Sequence, residues 1–351
     1  MRSSRAPGRR VAVLVLAVAT FWTLAARAEP VRLEAAATKL PPTPVGSELI
    51  PVARLRVGGD ARIGGLSGVV RTDGGDRLLV VSDRGYLLNM APRFDERGWL
   101  VDLVDAHLVD LPRPAGWSRD TEGLALSDGQ LLATFETHGR RGGGIVRYAG
   151  PPTAPTGIAS HLAARRFRLD DNAGFEALAD LPRGNWLAVA ETRHPDGFFV
   201  RRRDGRERRY RADGNHAPTG ADRFGDRTFF VERQVNLLLD WRATIRCAGA
   251  AEVDASAELE PLTLARLGQE DGVDNMEAIA VWAHGPDLDL LLVSDDNFSP
   301  LQETLFVQYR WPGGASDGCG PRARESTEGQ QQQQRHGELG GEIAERPGDP
   351  R

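Results

Sequence analysis

Short apolar runs recur along the chain, and each ends on a carboxylate: Leu78 to Asp83, Leu131 to Glu136, Trp186 to Glu191 and Leu290 to Asp295. Each is preceded, across a turn, by a shorter run that opens on a polar or acidic residue. These openings are Leu66-Ser67-Gly68-Val69, Thr121-Glu122-Gly123-Leu124, Phe175-Glu176-Ala177-Leu178 and Met276-Glu277-Ala278-Ile279. A degenerate copy, Pro218-Thr219-Gly220-Ala221 followed by Thr228 to Glu232, lies between the third and the last. Runs of this length, bounded by Gly and Asp turns, read as β-strands. The openers at 67, 122, 176, 219 and 277 are 55, 54, 43 and 58 residues apart. A period near fifty with several short strands per unit predicts an all-β propeller.

The first unit shows the plan of a blade. Leu66 to Val70, Leu78 to Asp83, Tyr86 to Phe94 and Leu100 to Leu111 read as four strands, with turns at Asp73-Gly74-Gly75-Asp76 and Asp95-Glu96-Arg97-Gly98. The last unit runs out one strand short, after Thr304 to Trp311. The apolar stretch Leu49 to Val57 is expected to supply its outer strand and close the ring, leaving no free edge. The count is about five four-stranded blades, with a sixth left open. A β-sandwich explains many short strands but not the repeated opener and acidic closer, and no long helical period stands out.

The ends of the chain differ from the repeats. Arg2, Arg5, Arg9 and Arg10 precede an apolar run from Val11 to Leu24, and Ala26-Arg27-Ala28 offers a cleavage site, so residues 1–28 read as a signal peptide. Arg9-Arg10 leaves the twin-arginine and Sec routes both open. Residues 29–47 form an extended lead-in, 48–311 the domain, and 312–351 a polar, glutamine-containing tail expected to be disordered. No later segment is apolar for the ~20 residues a membrane span needs. The expectation is a periplasmic or secreted protein. The chain carries a net charge of −5, and a cleaved leader with five arginines and no acids takes the mature protein to about −10. Nucleic acid is disfavoured as a partner, whereas a cation fits. Two cysteines, Cys247 and Cys319, match no zinc pattern and in an oxidising compartment are candidates for a disulfide.

The repeat places the acids. The start of a first strand and the end of a second lie at one end of a hairpin, and first strands line a propeller's axis. Glu122, Glu176 and Glu277 are therefore expected at one mouth, with Asp83, Glu136, Glu191, Glu232 and Asp295 beside them. Like charges this close raise one another's pKa. Three roles are open: accepting backbone N–H groups from the next blade, pairing with Arg84, Arg193 and Arg233, or ligating a hard cation such as calcium, which takes six to eight oxygens. The last unit is the most acidic, with Asp271, Asp274 and Glu277 on one loop and Asp295-Asp296-Asn297 on the next. His138 and His194 follow second-strand ends. No Walker loop, HExxH, Rossmann fingerprint or nucleophile elbow is present.

As a set, Gly65-Leu66-Ser67-Gly68 with Val81-Ser82-Asp83-Arg84-Gly85, Thr121-Glu122-Gly123, Pro218-Thr219-Gly220-Ala221 with Phe230-Val231-Glu232-Arg233, and Asn275-Met276-Glu277-Ala278 with Ser294-Asp295-Asp296-Asn297-Phe298 are distinctive. Over roughly residues 60 to 311 the chain resembles the bacterial family called esterase-like activity of phytase. The resemblance implies an exported propeller acting as a metal-dependent hydrolase on a small anionic phosphoester or simple ester. Glu122, Glu277, Asp295, Asp296 and Asp83 are then the expected calcium ligands. Glu176 or Glu191 would be the general base, and Arg84, Arg193 and Arg233 the grip on the substrate. β-Propeller phytases hold phosphate with lysines as well as arginines. Here Lys39 is the only lysine, so arginine would do that work. The other class left open is a non-catalytic propeller that binds a ligand or protein partner.

Overall fold

The computed structural model describes residues 28–138, 142–163, 174–236, 240–255, 257–316 and 318–319. The segment expected to be a leader, up to residue 27, and the expected polar tail from residue 320 onward lie outside the described residues, whereas 312–316 and 318–319, at the start of that tail, are described, with Ala315 and Cys319 packed against the core. Five sheets, antiparallel but for one short pairing, stand around one axis as a five-bladed propeller. From the axis outward, the first blade runs Leu66–Arg71, Leu78–Ser82, Tyr86–Phe94 and Leu100–Asp110, and the second Thr121–Ser127, Gln130–Phe135, Gly144–Ala149 and Gly157–Ala163. The third runs Phe175–Leu181, Asn185–His194, Gly197–Arg202 and Glu207–Tyr210, and the fourth Ala217–Phe224, Arg227–Val235, Trp241–Gly249 and Leu262–Leu267. The fifth begins with Met276–His284, Asp287–Ser294 and Leu305–Trp311.

The second strands are apolar on both faces because both are covered. Leu78 to Val81 and Leu290 to Val293 are all essentially inaccessible to solvent. The core is accordingly five separate cores, one between each pair of neighbouring blades. A ring of this kind has no stable open form, since opening it exposes two sheet faces.

Closure comes from the N-terminal side. Ile50–Gly59 pairs antiparallel with Leu305–Trp311 as the fourth strand of the fifth blade. Leu55 and Val57 from this strand enter the core shared with Leu66, Val80 and Leu88 of the first blade. The lead-in goes further than an extended stretch. Leu33–Ala37 adds a fifth strand to the last blade, and Glu29–Pro30 pairs with the outer strand of the first. One segment thus straddles the seam, and Arg62 clasps it through Glu29 at 3.0 Å.

Two further features were not expected from the repeat. A short helix, Ala250–Ala255, follows the third strand of the fourth blade, and Glu258–Leu259 then pairs in parallel with Glu207–Tyr210 of the third blade before the chain returns as Leu262–Leu267. Cys247 and Cys319 form a disulfide with their Cα atoms 5.4 Å apart. It ties the segment after the last strand to the core between the fourth and fifth blades. No helix among the described residues is long and apolar enough to cross a membrane.

Because Leu55 is 1% exposed at the seam, Leu55→Ala should cost about 2–5 kcal/mol of a total of roughly 5–15. Deletion of residues 29 to 57 should abolish soluble monomer. Thermal unfolding and gel filtration check both. An N-terminally truncated protein that stays monomeric with an unchanged Tm would show that the ring does not need this strand.

Candidate functional site

Each innermost strand carries a β-bulge at the same place. The inner strand gains one residue on its partner between Leu66 and Val69, Thr121 and Leu124, Phe175 and Ala177, Pro218 and Gly220, and Met276 and Ala278. The unpaired residues include the openers Ser67, Glu122, Glu176, Thr219 and Glu277. A bulge frees a side chain from the regular alternation and re-aims it.

The residue after each opener is Gly or Ala, and packing requires it. A Cβ on Gly123 would lie 2.6 Å from the Glu176 carbonyl oxygen, one on Gly220 2.6 Å from that of Glu277, and one on Gly68 2.6 Å from the Leu124 nitrogen. Ala177 and Ala278 occupy the other two places, fully buried. The inner strands therefore touch at this level, and only about 10 Å³ of space is left among them. The mouth above is a funnel with a floor, not the end of a tunnel.

The same register fixes what closes each second strand. Pro218 is opposite Glu232, as Thr121 is opposite Phe135, Phe175 opposite Ala190, Leu66 opposite Ser82 and Met276 opposite Ser294. The closing positions are one residue later: Asp83, Glu136, Glu191, Arg233 and Asp295. Glu232 is thus out of the ring. Successive residues face opposite sides of a sheet, and Glu232 is fully buried on the other side. There it meets Arg246 at 3.0 Å, the Tyr210 hydroxyl at 2.7 Å and the Asp213 N–H at 2.9 Å. Its place in the ring goes to Arg233, whose Nε lies 2.8 Å from Glu277 Oε1.

The openers and closers together bring seven carboxylates and one arginine to the mouth, with Asp120 and Asp296 adjoining. Glu136, Glu176, Glu277 and Asp295 are each more than nine-tenths buried. Burial pushes Glu176 well above the carboxylate range, assisted by the charges of Glu191 and Glu277 and opposed by Arg233. Glu122 is raised by burial and by Glu176. Glu136 is pushed up to about 10 by burial and by Glu176, Asp120 and Glu191. Asp295 rises to about 8 and Asp83 to about 6, each chiefly through burial. Glu277 is also raised by burial, though Arg233 pulls it back.

Backbone stitching between blades is done by Asp296, which accepts the Gly65 N–H of the first blade at 3.1 Å, and by side chains of the fourth blade. Thr219 donates to the Met276 carbonyl at 3.0 Å, and at the far end of the same strand Asp222 accepts the Val281 N–H at 2.7 Å. Oxygens of Asp120, Glu122 and Glu136 lie within 4.8 Å of one another, and so do those of Glu136, Glu176 and Glu191. Two ligands 2.3–2.6 Å from one ion have oxygens at most about 5 Å apart, so either set fits a hard cation, and Glu136 belongs to both. Asp295 and Asp296 spend oxygens on the Asn297 and Phe298 N–H groups, which shape their loop, and Asp296 also on the Gly65 N–H across the seam.

A cleft of about 480 Å³ adjoins the carboxylates between the first two blades, lined by Asp83, Arg84, Tyr86, Ser118, Arg119, Asp120 and His138. The Arg84 guanidinium lies 3.2 Å from the centre of the Phe298 ring. Arg119 is held by Asp110 at 2.7 Å and by the Arg84 carbonyl at 2.8 Å. Of the arginines expected here, Arg84 lines the cleft and Arg233 the funnel. Arg193 stands apart, exposed, 5.8 Å from the centre of the Phe198 ring. His194 neighbours Asp196. Asp120 was not expected at the mouth. Its one signal is that it precedes Thr121 where the other units carry Gly65, Gly174, Ala217 and Asn275.

Fold and mouth together define a phytase-like β-propeller. The family model described as esterase-like activity of phytase matches residues 61–298, and the chain belongs to that family. Comparison with curated protein sequences finds no match. Among solved structures the chain is similar to a thermostable family-43 glycoside hydrolase, at 10% identity and a TM-score of 0.46 over 74% of this chain and 96% of that one. It is similar to the phage phi92 endosialidase, at 10% identity and 0.40 over 79% and 57%. It is also similar to the Malassezia sympodialis allergen Mala s 1, at 12% and 0.41 over 79% and 95%.

The crowded acids give a pH signature. A carboxyl whose folded pKa exceeds its unfolded value holds a proton in the native state that the unfolded chain has released, so stability falls as pH rises through that interval. For Asp83 and Asp295 the interval runs from about 4 to 6 and 8. In chelator, the Tm should fall between pH 5 and pH 8, and Asp295→Asn should flatten the slope. A Tm that is level or rises over this range would show that these acids are not crowded.

Proposed function

We propose that this protein is an exported hydrolase of phosphoesters or simple carboxylic esters, working with a divalent cation held at the mouth of the propeller. The observation that carries the reading is the double role of Glu136, a buried carboxylate common to two sets of converging oxygens. Three or more acids at such distances need a positive charge among them. Arg233 supplies one, against Glu277. The donor set is all carboxylate, which suits calcium and not a metal that prefers imidazole or thiolate.

Asp120, Glu122 and Glu136 would hold the ion, with Glu176 and Glu191 completing the acidic wall. Asp83, Asp295, Asp296 and Glu277 shape and charge the rim around it. A bound cation would polarise an ester or phosphoryl oxygen and render a coordinated water more acidic. The remaining work belongs to side chains. Arg84, flattened on Phe298, presents a planar fork to an anionic group in the cleft. Arg119 lines the same cleft. Glu191 is exposed where Glu176 is buried, so Glu191 is the base that can take a proton from water and return it to solvent. Arg233 favours the ionised form of Glu277 against the effect of its burial. The cysteine bridge suits an oxidising compartment.

Phosphomonoester, phosphodiester and carboxylester substrates assayed with and without chelator test this reading. Chelation should abolish turnover and calcium should restore it. Glu136→Gln should lower kcat/KM by about 100-fold or more while the Tm holds or rises, because a buried like charge is removed. Full turnover in chelator would eliminate the cation from the mechanism. Calcium binding with no turnover on any substrate class would make the protein a binding propeller instead.

A further inference from the structure

The face of the third blade opposite the carboxylates has the contrary charge. The turn from Leu181 to Asn185 joins the first and second strands, and the turn from Arg202 to Glu207 joins the third and fourth; both lie at the end away from Glu176 and Glu191. Between them is a cleft of about 870 Å³ lined by Arg183, Arg202, Arg203 and Arg206, with Asp204 and Asp254 as the acids. The lining is positive by two charges on a chain whose net charge is −5.

The guanidinium groups are gathered in a way that repulsion opposes. Arg147 and Arg203 both donate to the Gly184 carbonyl. Arg206 and Arg208 both donate to the Asp254 carbonyl. A carbonyl dipole does not neutralise two full charges, and like charges at this spacing repel; Asp128 and Asp180 offset part of the repulsion at Arg147, and Asp254 and Asp204 part of it at Arg208. The pKa of Arg147 is lowered by burial and then by Arg203, and that of Arg208 by burial and then by Arg202 and Arg206. Arg202 is 7% exposed, paired with Asp254 at 2.6 Å and Asp204 at 3.2 Å, yet its Nε is buried without a hydrogen-bond partner among the described residues.

Capping the last carbonyls of the helix Ala250–Ala255 accounts for Arg202, Arg206 and Arg208. It does not account for Arg203, nor for Arg183, which stands exposed at φ +64° on the hairpin tip. We infer that this cleft binds a phosphate-type oxyanion, with Arg183 and Arg203 as the exposed arms and Arg202 and Arg206 as the wall. Several planar forks converging on one space match a multivalent tetrahedral anion better than a single carboxylate. The site is independent of the carboxylate mouth. Its ligand is either a free phosphate compound or the phosphate of a lipid headgroup.

Titration calorimetry with pyrophosphate, in chelator so that no cation assists the mouth, tests the assignment, together with sedimentation on vesicles of phosphatidylglycerol or of phosphatidylcholine. The double variant Arg183→Glu, Arg203→Glu should weaken whichever interaction occurs at least tenfold, with the Tm unchanged; Arg183→Gln, Arg203→Gln serves if charge reversal impairs folding. Pyrophosphate binding lost in the variant assigns a soluble ligand. Sedimentation with phosphatidylglycerol alone, lost in the variant, assigns a lipid surface. Absence of both interactions, or affinity untouched by the double variant and removed by Arg84→Glu, overturns the inference.

Discussion

Everything at the mouth depends on how closely the five inner strands approach one another. At Gly68, Gly123 and Gly220 not even a methyl group fits against the neighbouring backbone, and at the two remaining places the side chain is the methyl of the buried Ala177 and Ala278. The bulge and the small residue are two halves of one solution. The bulge adds a residue that has no partner in its own sheet, and the small side chain beside it lets the next blade move in. The extra residue then faces the axis, where it is dry but surrounded by its counterparts. That one contact explains why the acids repeat, why they are buried and why they are hard to ionise.

The repeat itself was readable because symmetry wrote it five times. Opener, small residue and apolar second strand recur with enough regularity to predict blades, axis and seam, and Leu49 to Val57 was recognisable as the missing strand from the gap after Trp311. Register was harder. Glu232 looked like a closing acid, yet the closing position is Arg233, and a slip of one residue sends a side chain to the opposite face of a sheet. In the second and third blades the residue directly after the apolar run is the closing acid, whereas in the fourth the residue directly after Val231 is Glu232 and the closing residue is the next one, Arg233. Pairing, not composition, decides between them.

Asp120 and the lead-in were obscure for a different reason. Asp120 precedes its strand at a place with no repeated residue type, so only three-dimensional convergence with Glu122 and Glu136 marks it. Leu33–Ala37 and Glu29–Pro30 are edge strands, which need no strong apolar pattern because one side is open to water. Glu258–Leu259 crosses from the fourth blade to the third, and a periodic pattern carries no information about such a crossing. Local periodicity reports what a strand buries, while its neighbours are set by the path of the whole chain.

The plug on the axis has a consequence for traffic. With only about 10 Å³ between the inner strands, about the room of one water, no substrate-sized molecule passes along the axis from one face of the disc to the other. Among the described residues the carboxylate funnel is a vestibule with no way through along the axis. Whatever reaches its floor must leave by the way it came, so arrival of one molecule and departure of another exclude each other in time. The two faces of the disc share a scaffold but no interior route, and each meets its own solution independently.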